Sequence, residues 1–445
     1  MTFENRHPSV LISLVLLSAF AFYLRFASVA GTEVDHPLRA DAKDYFLYAY
    51  NLRHFHVYSS AVPKSNSPDP KLTPDSVRTP GYPLFLLPFV DGPPNRQMLG
   101  KILFTQALLS TLTVLLEFFF FRAFLLECWA LFACFLTVIS PHLIVANSYL
   151  LTETLFCFLL LLFAWLISSR EETLSPKILL LSGITLGFAA LVRPSLQYFP
   201  LAIALLFFFQ FGWRRGARFL LVLLIGFFVV LAPWLIRNLV VLHSPGDQSL
   251  MINFLHHGMY PNFTYDQEPK SYGFPYRFDP RSAEISKDVT SVVHEMAERF
   301  REEPFKYLLW FIIGKPIAFW SWNIVQGMGD VFIYPVTDSP YFNNNIFQLT
   351  HNLMYFLHWP LVCLGLLSGL LVWIPRFAKE LPKHALFVAR FTSLLLLYFT
   401  LLHMIGAPFP RYSVPLRPFL YGMAVLPLQL SASRIKSFAI LLHRN

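Results

Sequence analysis

The stretch VLISLVLLSAFAFYLRFASV, residues 10–29, is predominantly apolar and carries one charged residue, Arg25. Its 20 residues, at about 1.5 Å of helix rise each, match the roughly 30 Å hydrocarbon core of a bilayer. The run is too long for the core of a signal peptide and lacks a small-residue cleavage site. We therefore expect it to stay in the protein as a first transmembrane helix.

The whole chain continues this pattern. Of its 445 residues, 55% are hydrophobic, 17% aromatic and only 14% charged, and the mean hydropathy is +0.51. A soluble domain carries about a quarter charged residues, so this chain has too little polar surface to cover a globule in water. The apolar runs are also too long for barrel strands, which alternate over about ten residues. The composition predicts an all-α polytopic membrane protein.

The apolar runs predict ten transmembrane helices. These are 9–30, 100–121, 124–140, 143–168, 177–193, 197–212, 218–241, 350–374, 384–406 and 412–431. The apolar segment 305–323 is interrupted by Gly314, Lys315 and Pro316, so we interpret it as broken, re-entrant or interfacial. If it crosses the membrane and returns within 324–349, two spans are added.

The predicted spans divide the chain into three parts. An N-terminal transmembrane module, 1–241, includes a first long loop at 31–99. A second long loop, 242–349, contains an expected amphipathic helix at 280–303, with Asp279 as its N-cap. A C-terminal part, 350–445, holds the last spans and a short tail.

Cationic residues are divided unequally between the short loops. If the N-terminus is cytoplasmic, the inner segments hold Arg6, Arg122, Arg170, Lys177, Arg214, Arg215, Arg218, Arg376, Lys379, Lys383, Arg434, Lys436 and Arg444. The outer turns hold Arg193, Arg411 and Arg417. This bias predicts that both termini are cytoplasmic and both long loops extracytoplasmic. We interpret the net charge of +9 as a consequence of this topology, not as a sign of nucleic-acid binding.

Asp41 lies a few residues after the first span, at the start of a predicted helix. The positive end of the helix dipole favours an ionised carboxylate there, which suits acceptance of a proton from a bound hydroxyl. A plain helix cap is the alternative interpretation, and Asp44 is the substitute candidate.

Four arginines lie at predicted outer ends of spans, where the charge bias disfavours them: Arg78, Arg193, Arg237 and Arg411. Snorkelling to lipid phosphates would explain any one of them. A shared anionic ligand would explain all four, provided that they meet in space. Glu153, an acid within an apolar run, should face a polar cavity or one of these arginines, although a structural salt bridge is an equal alternative.

Other chemistry finds little support in the sequence. The histidines do not form a metal-binding motif, and we predict no certain cofactor or metal ligand. There is no nucleotide-binding loop and no serine-hydrolase elbow, so a nucleotide-driven pump and a serine hydrolase are poorly supported.

In their order along the chain, these motifs resemble those of bacterial membrane glycosyltransferases of the GT-C superfamily, particularly the family 39 and aminoarabinose-transferase-like branch. The matching motifs are Asp41-Ala-x-x-Tyr45 with Ala49-x-Asn51-Leu52, Arg78-Thr-Pro-Gly-Tyr82-Pro-Leu84, Thr152-Glu153, Leu191-Val-Arg193-Pro194 and Pro233-Trp234-x-x-Arg237-Asn238. They cover roughly the first half of the chain, and beyond residue 242 only Arg411-Tyr412 and the pattern of spans match.

The resemblance implies a GT-C-type bundle of about 10–12 transmembrane helices in the bacterial inner membrane, with two long extracytoplasmic loops. It also implies an inverting glycosyltransferase that moves one sugar from a polyprenyl-phosphate donor to a hydroxyl of a glycan, lipid or protein acceptor. Asp41 would be the general base, and a divalent metal is left open. The resemblance implies donor-phosphate binding for Arg78 and Arg237. We predict the same role for the other two outer arginines, Arg193 and Arg411, and a supporting role for Asp44, Tyr45, Tyr82 and Glu153.

Two other classes of function use the same features. A transporter or flippase of lipid-linked sugars would need phosphate-binding arginines but no base. A glycan polymerase or ligase would consume a diphosphate-linked oligosaccharide instead of a monophosphate-linked sugar.

Overall fold

The computed structural model describes residues 8–63, 72–168 and 174–442, without the side chains of 435–442. Arg6, Arg170 and Arg444, which entered the charge comparison, lie outside the described residues, as does the side chain of Lys436. The described chain is a helical bundle with one two-stranded sheet.

The described residues of the N-terminal half form nine α-helices. They are α1 (Pro8–Gly31), α2 (Ala40–Phe55), α3 (Gly81–Leu86), α4 (Arg96–Phe121), α5 (Glu127–Val138), α6 (Pro141–Val145), α7 (Glu153–Ile167), α8 (Pro176–Val192) and α9 (Phe199–Leu242). α1 packs against α4 and α5, α7 packs between α4 and α8, and α8 packs along α9. These contacts build the core of the bundle from its longest apolar runs.

Ten further α-helices are described in the second long loop and the C-terminal part. They are α10 (Ser249–Gly258), α11 (Ser282–Ile285), α12 (Val289–Glu302), α13 (Pro304–Leu309), α14 (Lys315–Phe319), α15 (Pro340–Asn343), α16 (Asn345–Leu371), α17 (Pro375–Ala378), α18 (Lys383–Ile405) and α19 (Arg417–Leu442). A π-helical turn, Trp310–Gly314, joins α13 to α14. α19 packs against α16 and α5 and so closes the bundle.

Within the described residues, five helical segments are long and apolar enough to cross a membrane: α1, α4, Pro194–Leu242, α16 and α18. A sixth is added if α5 and Pro141–Ser148, which meet at 58°, form one bent span. α7 and α8 are shorter apolar helices. The prediction of an all-α polytopic membrane protein is confirmed.

The expected span 143–168 is wrong at its start, because the helix begins only at Glu153. Before it, α6 ends in a 3₁₀ turn, Ala146–Ser148. The Asn147 side chain donates hydrogen bonds to the carbonyls of Leu143 and Ile144, at 2.8 and 3.0 Å, and so uses acceptors that a continuing helix would need. The break places Glu153 in the first turn of α7.

The spans expected at 197–212 and 218–241 are two arms of α9. They meet at Gly212, whose φ of 72° is in the left-handed region that glycine adopts most easily. The second arm therefore begins directly after Gly212, earlier than expected.

The helix expected at 280–303 is also different. α11 ends at Ile285, and α12 begins at Val289. Asp288, not Asp279, caps α12, because its side chain accepts a hydrogen bond from the Ser291 backbone N–H at 2.8 Å. The segment expected at 305–323 is helical from Pro304 to Phe319 through its π-helical turn.

The only strands among the described residues join the two long loops. β1 (Glu33–Val34) pairs antiparallel with β2 (Val336–Asp338), with Glu33 opposite Asp338. β1 lies between α1 and α2 in sequence, and β2 lies between α14 and α15, so their pairing attaches the second loop to the segment that leads into α2.

Candidate active site

Asp41 lies in the first turn of α2, and each of its carboxylate oxygens accepts a hydrogen bond from an arginine. Arg78 Nη2 is 2.7 Å from Oδ1, and Arg411 Nη2 is 2.8 Å from Oδ2. Arg39, not Asp41, occupies the N-cap position of α2. Asp41 is therefore a partner of two guanidinium groups and does not act as the helix cap.

Arg411 also reaches a second acid. Its Nε lies 2.6 Å from Glu153 Oε1, and Arg193 Nη2 lies 2.6 Å from the same oxygen. Arg193 Nε donates to Thr152 Oγ1 at 2.9 Å. Glu153 is fully buried, and its Oε2 has no hydrogen-bond partner in the part of the chain that is described. Two arginines therefore balance one buried carboxylate.

Arg78 joins a third acid to the network. Its Nη2 lies 3.1 Å from Asp44 Oδ2, and its guanidinium stands 5.7 Å from the centre of the Tyr45 ring. Acids and arginines thus alternate in one chain of contacts: Asp44, Arg78, Asp41, Arg411, Glu153 and Arg193. We call these six residues the ionic chain. Its formal charge is zero when all six side chains are ionised.

The arginines control the protonation of Asp41. Burial alone would raise the pKa of Asp41, but Arg411 and Arg78 outweigh burial and lower the pKa to about 2. Burial raises the pKa of Asp44 above its ordinary value, because Arg78 offsets only part of the desolvation. Asp41 is therefore the more acidic of the two carboxyl groups.

The ionic chain forms the polar end of a cavity of about 390 Å³. Asp41, Arg78, Arg193 and Arg411 line this end. The apolar walls are formed by Val192, Leu250, Met251, Phe254, Leu255, Phe399, Leu402 and Ile405. The cavity can therefore hold a molecule with an apolar part and an anionic end.

Arg237 does not join the other three arginines. Its Nη1 donates to the Asp75 carbonyl at 2.9 Å and its Nη2 to the Tyr58 carbonyl at 3.2 Å. It lines a separate, largely apolar cavity with Trp234 and Pro80. Arg237 therefore holds the first long loop against α9, and only three of the four predicted arginines meet.

The two predicted tyrosines have different positions. Tyr45 lines the cavity, whereas Tyr82 is fully buried behind it and donates to Gln106 Oε1 at 2.6 Å. Their rings meet edge to face, 5.1 Å apart. Tyr82 therefore supports Tyr45 from behind.

Sequence reasoning missed Tyr334 in the second long loop. Its ring is buried, and among the described residues its hydroxyl has no hydrogen-bond partner. Burial raises the pKa of Tyr334, and the charges of Arg411 and Asp41 both act on its hydroxyl. No sequence motif marks Tyr334. The β1–β2 pairing brings it to the start of α2.

The carboxylates do not form a metal site. Nowhere in residues 8–63, 72–168 and 174–442 do three or more His, Cys, Asp or Glu side chains converge in a way that could hold a metal ion. Asp41 and Asp44 share the Arg78 guanidinium as their counter-ion. The donor set therefore does not fit a resident divalent cation.

No family model matches the sequence, and a search of curated proteins found no match. Solved structures, however, include the same fold. One is the archaeal oligosaccharyltransferase AglB from Archaeoglobus fulgidus in complex with an inhibitory peptide and a dolichol-phosphate, with a TM-score of 0.53 at 14% identity. The match covers 98% of this chain and 52% of AglB.

Two further matches have similar identities. The apo form of the A. fulgidus enzyme has a TM-score of 0.51 at 15% identity, covering 97% of this chain and 52% of that one. ArnT from Cupriavidus metallidurans bound to undecaprenyl phosphate has a TM-score of 0.41 at 14% identity, covering 95% and 77%. This chain spans about half the length of the archaeal enzyme. Its fold is that of the archaeal oligosaccharyltransferase, in agreement with the helical membrane bundle that the sequence motifs predicted.

Proposed function

We propose that this protein is an inverting glycosyltransferase that moves one sugar from a polyprenyl-phosphate donor to an acceptor hydroxyl at the extracytoplasmic face of the bacterial inner membrane. The observation that carries the proposal is the position of the Asp41 carboxylate between Arg78 and Arg411, at the polar end of an apolar cavity. The fold supports it, since AglB was solved with a dolichol-phosphate.

The cavity suits such a donor at both ends. Its apolar walls would contact the polyprenyl chain, and its arginines would bind the phosphate. A guanidinium presents parallel N–H groups that bind phosphate oxygens in pairs. Arg78 and Arg411 are the nearest cations to Asp41, and Arg193 lies behind them. Arg237 is left out of this phosphate site, because its N–H groups are used by loop carbonyls.

Donor binding would also activate the base. With both arginines bound to it, Asp41 has a pKa of about 2 and is a weak base. A phosphate that takes hydrogen bonds from Arg78 and Arg411 withdraws positive charge from the carboxylate and adds a negative charge beside it. Both changes raise the pKa of Asp41 towards that of an ordinary aspartate. The base would therefore gain strength only when the donor is bound.

The reaction would then be a single displacement. Asp41 accepts the proton of the acceptor hydroxyl, and that oxygen attacks the anomeric carbon of the sugar. The bond between the anomeric carbon and the phosphate oxygen breaks, and the electron pair leaves with the polyprenyl phosphate. Arg78 and Arg411 stabilise the charge that develops on this leaving group. One displacement inverts the anomeric configuration.

The other acids would position the arginines. Glu153 binds Arg411 through Nε, which Asp41 does not use, and also binds Arg193, while Asp44 binds Arg78. Arg78 and Arg411 are thus each held by a second carboxylate while their contact with Asp41 is exchanged for phosphate. Such pre-ordering lowers the entropy lost on donor binding.

The test is release of free polyprenyl phosphate by purified protein in lipid, with a panel of polyprenyl-phosphate sugars and a membrane extract as acceptor. Asp41→Asn should lose acceptor-dependent release by about a hundredfold or more, the scale of a positioned general base. Asp91→Asn, at an exposed position, is the matched control and should retain activity.

Two results would contradict the proposal. Equal release by Asp41→Asn and the wild type would exclude Asp41 as the base. The absence of release with every donor, from folded protein, would exclude the transferase and favour a transporter or flippase. Mass analysis of the spent lipid separates a monophosphate from the diphosphate that a polymerase or ligase would leave.

A further inference from the structure

The second long loop contains a larger cavity, of about 1220 Å³, that the proposed reaction does not use. It lies between the end of α10 and the helical segment from α12 to α14, and its residues include Tyr260, Asn262, Tyr265, Asp266, Gln267, Arg299, Lys306, Tyr307 and Trp310. Typical pockets for small molecules measure about 300–1,000 Å³, so this cavity has room for an extended ligand.

Buried aromatic rings form one part of its wall. Tyr260, Tyr307 and Trp310 are each no more than 5% exposed. The polar atoms of two of them are used within the protein. Tyr260 donates to Asp279 at 2.7 Å, and the Trp310 indole N–H donates to the Gly258 carbonyl at 2.9 Å. These three side chains therefore form a rigid wall, and Tyr265, which is only partly buried, presents ring surface to the cavity.

Exposed polar side chains form another part of the cavity wall. Asn262, Asp266 and Gln267 are exposed, and in the described part of the chain their side chains make no hydrogen bond or ion pair. An amide side chain both donates and accepts hydrogen bonds, and a carboxylate accepts them. Together these groups can bind several hydroxyl groups of one ligand.

The cations at this cavity are already paired. Arg299 binds Asp279 at 2.9 Å and Glu295 at 2.8 Å, and Lys306 binds Glu303 at 2.7 Å. An anionic ligand would have to break these pairs and would also approach Asp266. A neutral ligand rich in hydroxyl groups meets neither obstacle.

A sugar combines the two properties that this cavity selects. The C–H groups on one side of its ring are apolar and pack on aromatic faces, while its hydroxyl groups exchange hydrogen bonds with planar polar side chains. We infer that the second-loop cavity binds the saccharide part of the acceptor, a neutral oligosaccharide of more than one ring. This inference rests on the proposed transferase function.

The position of the cavity agrees with this role. α10 lines the candidate active site through Phe254 and Leu255 and ends just before Tyr260, which lines the second cavity. The ring of Phe263 stacks on that of Phe409, with the centroids 4.9 Å apart, and Phe409 lies two residues before Arg411 in the sequence. The two rings share one hydrophobic cluster with Trp310 of the second cavity and Phe254 of the first. An acceptor held here therefore lies one short helix away from the ionic chain.

Direct binding tests the inference without any turnover. Full-length protein in lipid nanodiscs would be titrated with defined neutral oligosaccharides of hexose and N-acetylhexosamine, and separately with inorganic phosphate. At least one oligosaccharide should bind, and Tyr265→Ala should weaken it at least tenfold. Tyr272→Ala is the matched control, since Tyr272 belongs to the same loop, is 53% exposed and does not line the cavity. Gln267→Ala changes a second cavity side chain at an exposed position and should also weaken oligosaccharide binding. It therefore tests the inference even if Tyr265→Ala fails to fold.

Three binding results would overturn the inference. They are the absence of binding for every neutral oligosaccharide, binding of inorganic phosphate alone, and equal binding by Tyr265→Ala and Tyr272→Ala.

Kinetics separates this inference from the proposed function. Tyr265→Ala should raise the acceptor KM at least tenfold while the donor KM stays unchanged. A transferase whose acceptor KM is unaffected would overturn the saccharide site and leave the proposed function intact. Oligosaccharide binding that Tyr265→Ala weakens, in a protein without transferase activity, would support the saccharide site and contradict the proposed function.

Discussion

Asp41 and Arg411 are 370 residues apart in the sequence, yet Arg411 Nη2 lies 2.8 Å from Asp41 Oδ2. The same guanidinium binds Glu153 through its Nε at 2.6 Å. One arginine from the C-terminal part of the chain therefore joins an acid that follows α1 to an acid at the start of α7. Its planar fork allows both contacts at once.

We expect Arg411→Lys to lower transferase activity by at least tenfold, although the charge is kept. A lysine ammonium is a single point of contact and cannot span Asp41 and Glu153 as the guanidinium does. The measurement is polyprenyl-phosphate release under saturating donor. Arg434→Lys, at an exposed ion pair with Glu380, is the control. Full activity in Arg411→Lys would show that the bridging geometry is unimportant.

Asp41 should contribute to the acid stability of the protein. Its folded pKa of about 2 lies below the ordinary value of 3.8, so the contribution is complete above about pH 4 and is lost as the pH falls towards 2. The difference corresponds to about 2 kcal/mol. Unfolding in detergent should therefore show a fall in stability between about pH 4 and pH 2 that is weaker in Asp41→Asn. Identical pH profiles would contradict the ion pairing of Asp41.

The pH dependence of turnover should distinguish the free enzyme from the donor complex. The acid limb of kcat/KM reports the free enzyme, and that of kcat reports the complex. Because the donor phosphate would raise the pKa of Asp41, the acid limb of kcat should lie at higher pH than that of kcat/KM. If the acid limbs of kcat and kcat/KM coincided, the phosphate would not have replaced Asp41 as the hydrogen-bond partner of the arginines.

Glu153→Gln should make stability depend on the donor phosphate. Removing the buried carboxylate leaves Arg193 and Arg411 with excess positive charge, which typically costs about 3–5 kcal/mol. Undecaprenyl phosphate should restore much of this loss and therefore raise the Tm of Glu153→Gln more than that of the wild type. Glu127→Gln, at the ion pair with Arg122, is the control. An equal rise in both proteins would place the phosphate elsewhere.

Arg237→Ala should lower stability without changing the donor KM. The substitution removes hydrogen bonds to the carbonyls of Asp75 and Tyr58, at a cost of about 1–3 kcal/mol. Chemical denaturation and donor kinetics would be measured on the same preparation. A donor KM raised tenfold or more would return Arg237 to the phosphate site.

The sequence predicted much of the local structure. An apolar run such as 10–29 needs only its own length and composition to span a bilayer, because the thickness of the hydrocarbon core sets the requirement. The break before Glu153 and the start of α12 at Val289 were missed, since each depends on a single side chain, Asn147 or Asp288, that bonds to the nearby backbone.

The candidate site could be predicted only as a set of residues. Charged side chains at the ends of apolar runs stand out because burying them in lipid is costly, and this pointed to Asp41, Glu153 and the arginines. Which arginine meets which acid could not be predicted, because helix packing decides it over hundreds of residues. Arg237 and Tyr334 illustrate this limit. Arg237 lies apart from the ionic chain, whereas the β1–β2 pair brings Tyr334 close enough for the charges of Arg411 and Asp41 to act on it.

By itself, then, the sequence determined the helical membrane architecture and the chemical types available at one end of the bundle. Both follow from the cost of placing polar groups in hydrocarbon, which acts on each segment separately. Only the tertiary structure decided that acids and arginines alternate in one chain of contacts at the polar end of an apolar cavity. Ion pairs form over about 3 Å, and only the packing of distant helices brings side chains that close.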